Sequence, residues 1–140
     1  LTLNEATYYF AHSFEGRSLD GAQLMRWHIP ADRPIPVNAF WSLSMYAPTD
    51  DGELFFIENP LTRYAIGDRT PGLVRNTDGS LDIWIGHDNP GVAREANWLP
   101  APAGTYTLLL RAYLAKSELL EGDYDIPEPQ PVHLEEETRQ

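Results

Sequence analysis

Two arginines stand among aromatic and amide residues whose types could bind an anion: Arg63 and Arg111, with Trp41, Tyr46, Asn59, Tyr64, Asn97 and Trp98. A guanidinium grips a carboxylate or other oxyanion through a planar fork of N–H donors. Trp and Tyr faces stack on a sugar or another flat ligand. Arg111 is the sharper signal, because it follows three consecutive leucines, Leu108 to Leu110, in a stretch free of Gly and Pro. A desolvated charge there must find a carboxylate or carbonyl partner. A structural reading uses the same residues differently. It pairs Arg63 with Asp68 or Glu58, lets Arg111 bond loop carbonyls, and has Trp98 plug the end of the core. Fold keystones are commoner than ligand sites, so this is the default against which a site is judged.

Other chemistry is weaker. The histidines His12, His28, His87 and His133 show neither His-x-His nor His-x-x-x-His spacing, so no metal or other cofactor is expected. His87-Asp88 has the composition of an oriented base, although adjacent side chains usually diverge. His12 and His28 would meet only if the first hairpin allowed it. Ser42, Ser44 and Ser80 occur in neither Gly-x-Ser-x-Gly nor Ser-x-x-Lys. The run Asn76-Thr77-Asp78-Gly79-Ser80, then Asp82, spaces oxygens as a calcium loop does. It lacks the distal bidentate Glu, and a turn explains the same residues. Asp50-Asp51 reads as a solvated turn rather than an acid/base pair.

The elements that must position these residues are strands. Asp20-Gly21, Asp51-Gly52 and Asp78-Gly79 are turn signals between aromatic and β-branched runs. Those runs fall at residues 7–14, 23–29, 40–46, 54–58, 81–86 and 105–113, with 73–75 expected to pair with 81–86 across Asp78-Gly79. Met25, Trp27 and Ile29 alternate with Arg26 and His28, and Trp41, Leu43 and Met45 with Ser42, Ser44 and Tyr46. Such period-two patterning predicts an all-β, antiparallel sandwich. Twelve prolines and ten glycines leave room for one or two short helical turns, at 59–64 and at 117–120 before Gly122. Prolines at 127, 129 and 131 imply an extended segment.

Composition bounds the rest. The 140 residues suit one domain, 1–132, followed by an acidic tail, 133–140. The net charge is −11, of which residues 118–140 carry −7, and Lys116 is the single lysine. Nucleic acid and anionic membranes are therefore unexpected partners. No run approaches the ~18 apolar residues of a membrane span, so membrane insertion is not expected either. Leu1 in place of Met points to a trimmed N-terminus or a fragment. Without cysteine, disulfides and thiolate sites are excluded.

Four blocks together carry a resemblance. They are Phe40-Trp41-Ser42-Leu43-Ser44-Met45-Tyr46, Asn59-Pro60-Leu61-Thr62-Arg63-Tyr64-Ala65-Ile66-Gly67-Asp68, Asn76-Thr77-Asp78-Gly79-Ser80-Leu81 and Asn97-Trp98-Leu99-Pro100-Ala101-Pro102. In this order they resemble the bacterial domain of unknown function 1214, over roughly residues 8–132. The resemblance implies a jelly-roll-like sandwich, a second domain (of unknown function 1254) ahead of it, and an exported or periplasmic location. Composition alone fits a cytoplasmic location equally well.

These readings lead to two functional expectations. The first is a non-catalytic module that binds a small-molecule or sugar-like ligand, or that assembles with a preceding domain or with copies of itself. The second is a hydrolase or lyase acting on a small or sugar-like substrate at the Arg63/Arg111/Trp98 end. A displaced pKa in a concave polar pocket would favour the second.

Overall fold

The computed structural model describes residues 6–48, 54–55 and 65–132. Within them the strands are β1 (Ala6–Ala11), β2 (Ser13–Phe14), β3 (Arg17–Ser18), β4 (Met25–Ile29), β5 (Val37–Pro48) and β6 (Leu54–Phe55). They continue with β7 (Ala65–Gly67), β8 (Leu81–Gly86), β9 (Trp98–Pro100), β10 (Thr107–Ala115) and β11 (Gln130–Pro131). One 3-10 turn (Glu95–Asn97) precedes β9, and one short helix, α1 (Ser117–Leu120), follows β10.

Two sheets form the expected all-β sandwich. In the first, β10 lies between β1 and β5, and β6 and β7 each pair with β5. The second runs β11-β4-β8-β9. Alternation explains the layers. Trp41, Leu43 and Met45 of β5 are buried opposite Ala112, Leu110 and Leu108 of β10. From the second sheet Trp27, Ile83 and Leu99 meet them, and Trp27 packs edge-to-face on Trp41 at 5.4 Å and 70°. Each fully buried side chain of this kind stabilises the fold by about 2 kcal/mol.

Several local expectations are corrected. Residues 73–75 form no strand beside β8. Asp78-Gly79 does turn, with Gly79 at φ +89°, but the upstream arm leaves the ladder. The Asn97 side chain takes over from it. Its Oδ1 accepts from the Val74 N–H at 2.9 Å, and its Nδ2 donates to the carbonyls of Val74 and Asp82 at 2.7 and 2.8 Å. An amide side chain thus supplies what a paired strand would have supplied. Trp98 to Pro100, absent from the strands expected from sequence, is a strand, and its pairing with β8 is the one parallel pairing among the described strands.

Asp20-Gly21 is no positive-φ hairpin. Asp20 bridges to Thr105, and a Cβ on Gly21 would collide with the carbonyl oxygen of Pro102. Glycine is there for close backbone approach. The segment with alternate prolines packs along the body: Trp27 donates its indole N–H to the Pro127 carbonyl at 2.7 Å, and β11 pairs with β4. The Asp51-Gly52 turn, most of the 54–58 strand, the 59–64 helical turn and the acidic tail lie outside the described residues.

Candidate functional site

The outward face of the first sheet brings together Tyr46 and Arg111, two of the candidate anion-binding residues named from sequence. The antiparallel register places Arg111 of β10 between Tyr8 of β1 and Ser42 of β5. Two residues along lie Phe10, Leu109 and Ser44 on a second row, and Thr107 faces Tyr46 on a third. Arg111 is half-buried and reaches along the sheet. Its Nη2 donates to the Tyr46 hydroxyl at 2.6 Å, and its Nη1 lies 3.4 Å from Ser44 Oγ. The two side chains meet across the middle row, whose Ser44 and Leu109 are buried although they face away from the core. His12 continues the face, with Nδ1 2.9 Å from Thr107 Oγ1. Its ring stacks on Phe10 at 6.0 Å.

The electrostatics of this face are one-sided. Among the described residues no carboxylate lies within ion-pair distance of Arg111; its two hydrogen-bond partners are neutral hydroxyls. Nearby, Tyr113 and Phe40 stack at 4.3 Å, and the Arg69 guanidinium sits 4.1 Å above the Phe40 ring.

The outward face of the second sheet is arranged differently. Asp82 accepts from Arg26 Nε at 2.8 Å and from Asn76 Nδ2 at 3.0 Å, and it lies 2.6 Å from His28 Nδ1. Burial pushes this carboxyl up, but hydrogen bonds from His28, Asn76 and Arg26 outweigh burial and hold it below the usual carboxylate range. Beside it, the Arg94 guanidinium covers the Trp84 ring at 3.9 Å. Trp98 pairs with Trp84 on this same face, is buried, and donates its indole N–H to the Gly86 carbonyl at 2.9 Å.

The residues proposed from sequence therefore separate. Tyr46 and Arg111 come together. Trp41 lies in the core, its backbone N–H donating to Asp68 Oδ1 at 3.3 Å. Asn97 and Trp98 belong to the second sheet and serve the turn before β8 and the β8 edge. Asn59, Arg63 and Tyr64 lie outside the described residues. The three described histidines do not converge: His28 joins Asp82, His87 Nδ1 lies 3.1 Å from the Ala101 carbonyl, and His12 joins Thr107. His133 lies outside the described residues. In the calcium-like run Asp78 accepts from its own Ser80, through the N–H at 2.9 Å and the hydroxyl at 2.6 Å. Among the described residues no three His, Asp or Glu side chains are grouped as metal ligands. Sequence reasoning missed Tyr8, Phe10, His12 and Thr107 on the Arg111 face. The signal was available: pairing the 7–14 run with the 105–113 run aligns Tyr8 with Arg111.

Fold and site together define an all-β sandwich domain with one cationic, aromatic-edged sheet face. The chain belongs to the family described as "Protein of unknown function (DUF1214)", whose model matches residues 5–117. It is similar to the VPA0106 protein of Vibrio parahaemolyticus, at 29% identity and a TM-score of 0.76 over 92% of this chain. An uncharacterised protein of Burkholderia cenocepacia shares the fold, at 16% identity and a TM-score of 0.56 over 94% of this chain. The chain spans 31% and 30% of the lengths of these two structures. No curated protein matches it.

Proposed function

We propose that this domain is a non-catalytic binding module that holds an oxyanion, most simply a carboxylate, at Arg111 on the outward face of the first sheet. The observation that carries this reading is a half-buried guanidinium fixed by the Tyr46 and Ser44 hydroxyls, with no described carboxylate beside it. Hydroxyls orient the fork without neutralising it, and the remaining N–H groups can meet an anion bidentately. In the relatives the matching region is about a third of a longer chain, which fits a module serving a larger protein. The hydrolase or lyase alternative at the Arg63/Arg111/Trp98 end is less well supported, because Arg111 and Trp98 lie in different sheets. The one described hydroxyl partnered by a histidine near Arg111, Thr107 beside His12, is only 5% exposed. A buried hydroxyl suits the anchoring of an exposed imidazole better than attack on a substrate.

Acetate titration followed by thermal shift tests the reading. Wild-type protein and Arg26→Gln should both be stabilised, because Arg26 is already compensated by Asp82. Arg111→Gln should lose the shift while keeping its fold by circular dichroism. Equal stabilisation of Arg111→Gln, or no anion effect on the wild type, refutes it.

A further inference from the structure

From the rings beside Arg111 we infer that the ligand is an amphiphilic anion with a flat apolar body, of the aromatic carboxylate class, lying along the β1 edge of the first sheet. This rests on the Arg111 reading above and adds to it the shape of the ligand. β1 is an edge strand whose outward positions include Tyr8 and Phe10, and His12 follows just past its end. Tyr8 stands directly opposite Arg111 and is 43% exposed; Phe10 stands opposite Leu109 and is 57% exposed. Large aromatic side chains on an edge strand are ordinarily turned inward or replaced by charge, because exposed apolar edges invite association. Here two of them stand on the β1 side of Arg111, whose guanidinium turns toward Ser44 and Tyr46 on the β5 side.

The geometry favours one ligand touching the guanidinium and these rings. Directly opposed side chains on an antiparallel pair have Cβ atoms about 5 Å apart, and diagonal neighbours about 7–8 Å apart. The guanidinium lies over the middle row beside Ser44, so a carboxylate bound to it carries its ring back across Leu109 toward Phe10, with Tyr8 at the margin. Leu109 is buried and offers a dry apolar floor, while His12 stacks on one face of the Phe10 ring within 5° of parallel and leaves the other face for a ligand. Flat rings stack on such faces with a gain beyond simple burial. An inorganic or purely aliphatic small anion would use the guanidinium and leave the rings idle.

The test compares sodium benzoate with sodium acetate on the full chain by calorimetry or ligand-observed NMR. Wild-type protein should prefer benzoate by about tenfold, as expected for stacking and partial burial of one ring. The exposed-site double variant Tyr8→Ala/Phe10→Ala should bring the two affinities to within about twofold by lowering that for benzoate alone, since the guanidinium contact is untouched. Arg111→Gln should lose both. Equal binding of benzoate and acetate by the wild type overturns the aromatic inference and leaves the oxyanion reading standing. So does a benzoate preference that survives the double variant. Failure of the wild type to bind either anion overturns both.

Discussion

The two outward faces of the sandwich each present an arginine, and the two arginines are satisfied in opposite ways. On the second sheet Arg26 meets Asp82, which His28 and Asn76 also engage, so the charges close on one another. On the first sheet Arg111 is held by the Tyr46 and Ser44 hydroxyls, and its charge is left without a described carboxylate. An ion network of the first kind contributes to the fold and has little left to offer a ligand. A guanidinium oriented by neutral groups keeps both its charge and its spare donors. The contrast separates two roles that residue type alone cannot separate.

The largest expected effect follows from removing the hub of the closed network. Asp82 is mostly buried, and Asp82→Ala strands three donors from Arg26, His28 and Asn76. The expected loss in urea unfolding is about 2 kcal/mol, for three hydrogen bonds discounted because Arg26 and His28 are 45% and 37% exposed and rehydrate. Arg111→Ala removes only bonds to neutral hydroxyls and should cost about 1 kcal/mol. If the two variants are equally destabilised, the distinction between a structural and a binding arginine fails.

A smaller effect appears in acid. Asp82 is held below the usual carboxylate range, so it releases its proton more readily in the folded state than in the unfolded one. Its contribution is complete above the unfolded value of about 3.9 and disappears as pH falls through the folded value. Asp68 behaves in the opposite sense. Burial raises it, despite the Trp41 N–H and the charges of Arg69 and Arg75. Its contribution is complete below the unfolded value and is lost as pH rises through the folded one. Urea unfolding between pH 5 and about 2.5, spanning the carboxylate range, should show a shallower acid loss in Asp82→Asn than in the wild type, and a steeper one in Asp68→Asn. Identical slopes in all three would remove the electrostatic half of the comparison.

How much of this was legible in the sequence depends on how local the determinant is. Alternation in 25–29, 40–46 and 81–86 named the inward residues, because period two is written directly into side-chain order. Ser117 to Leu120, ended by Gly122, was legible for the same local reason. The Arg111 face was harder, since three consecutive leucines mask alternation: Leu108 and Leu110 point into the core while Leu109 lies under the outward side chains. Its neighbours Tyr8 and Tyr46 come from strands about 100 and 65 residues away, and only the register brings them together. Asn97 shows the converse. Its type and its block were noticed, but the carbonyls it serves, at Val74 and Asp82, belong to a chain path that no local pattern records.

The smallest expected effect lies at the end of the strand that carries Arg111. Leu114 adopts φ +56° at a bulge where the β10–β5 register shifts between Tyr113 and Ala115. A non-glycine residue there costs about 1–2 kcal/mol, whereas glycine gives up about 0.5–1 kcal/mol of chain entropy on folding. Leu114 is 38% exposed, so truncation gives up about 1 kcal/mol of side-chain burial, which offsets the relief of the positive φ. Leu114→Gly should therefore leave stability within about 0.5 kcal/mol of the wild type. It should also leave acetate binding within about twofold of the wild type, because the Tyr46 and Ser44 contacts that hold Arg111 are unchanged. Backbone strain close to a site is sometimes part of how the site works. Here a folded variant that binds anion normally would assign the strain to strand termination and the binding to the hydroxyl-held guanidinium. A variant of unchanged stability that binds poorly would instead make the bulge a positioning device, through Tyr113, for the cationic face.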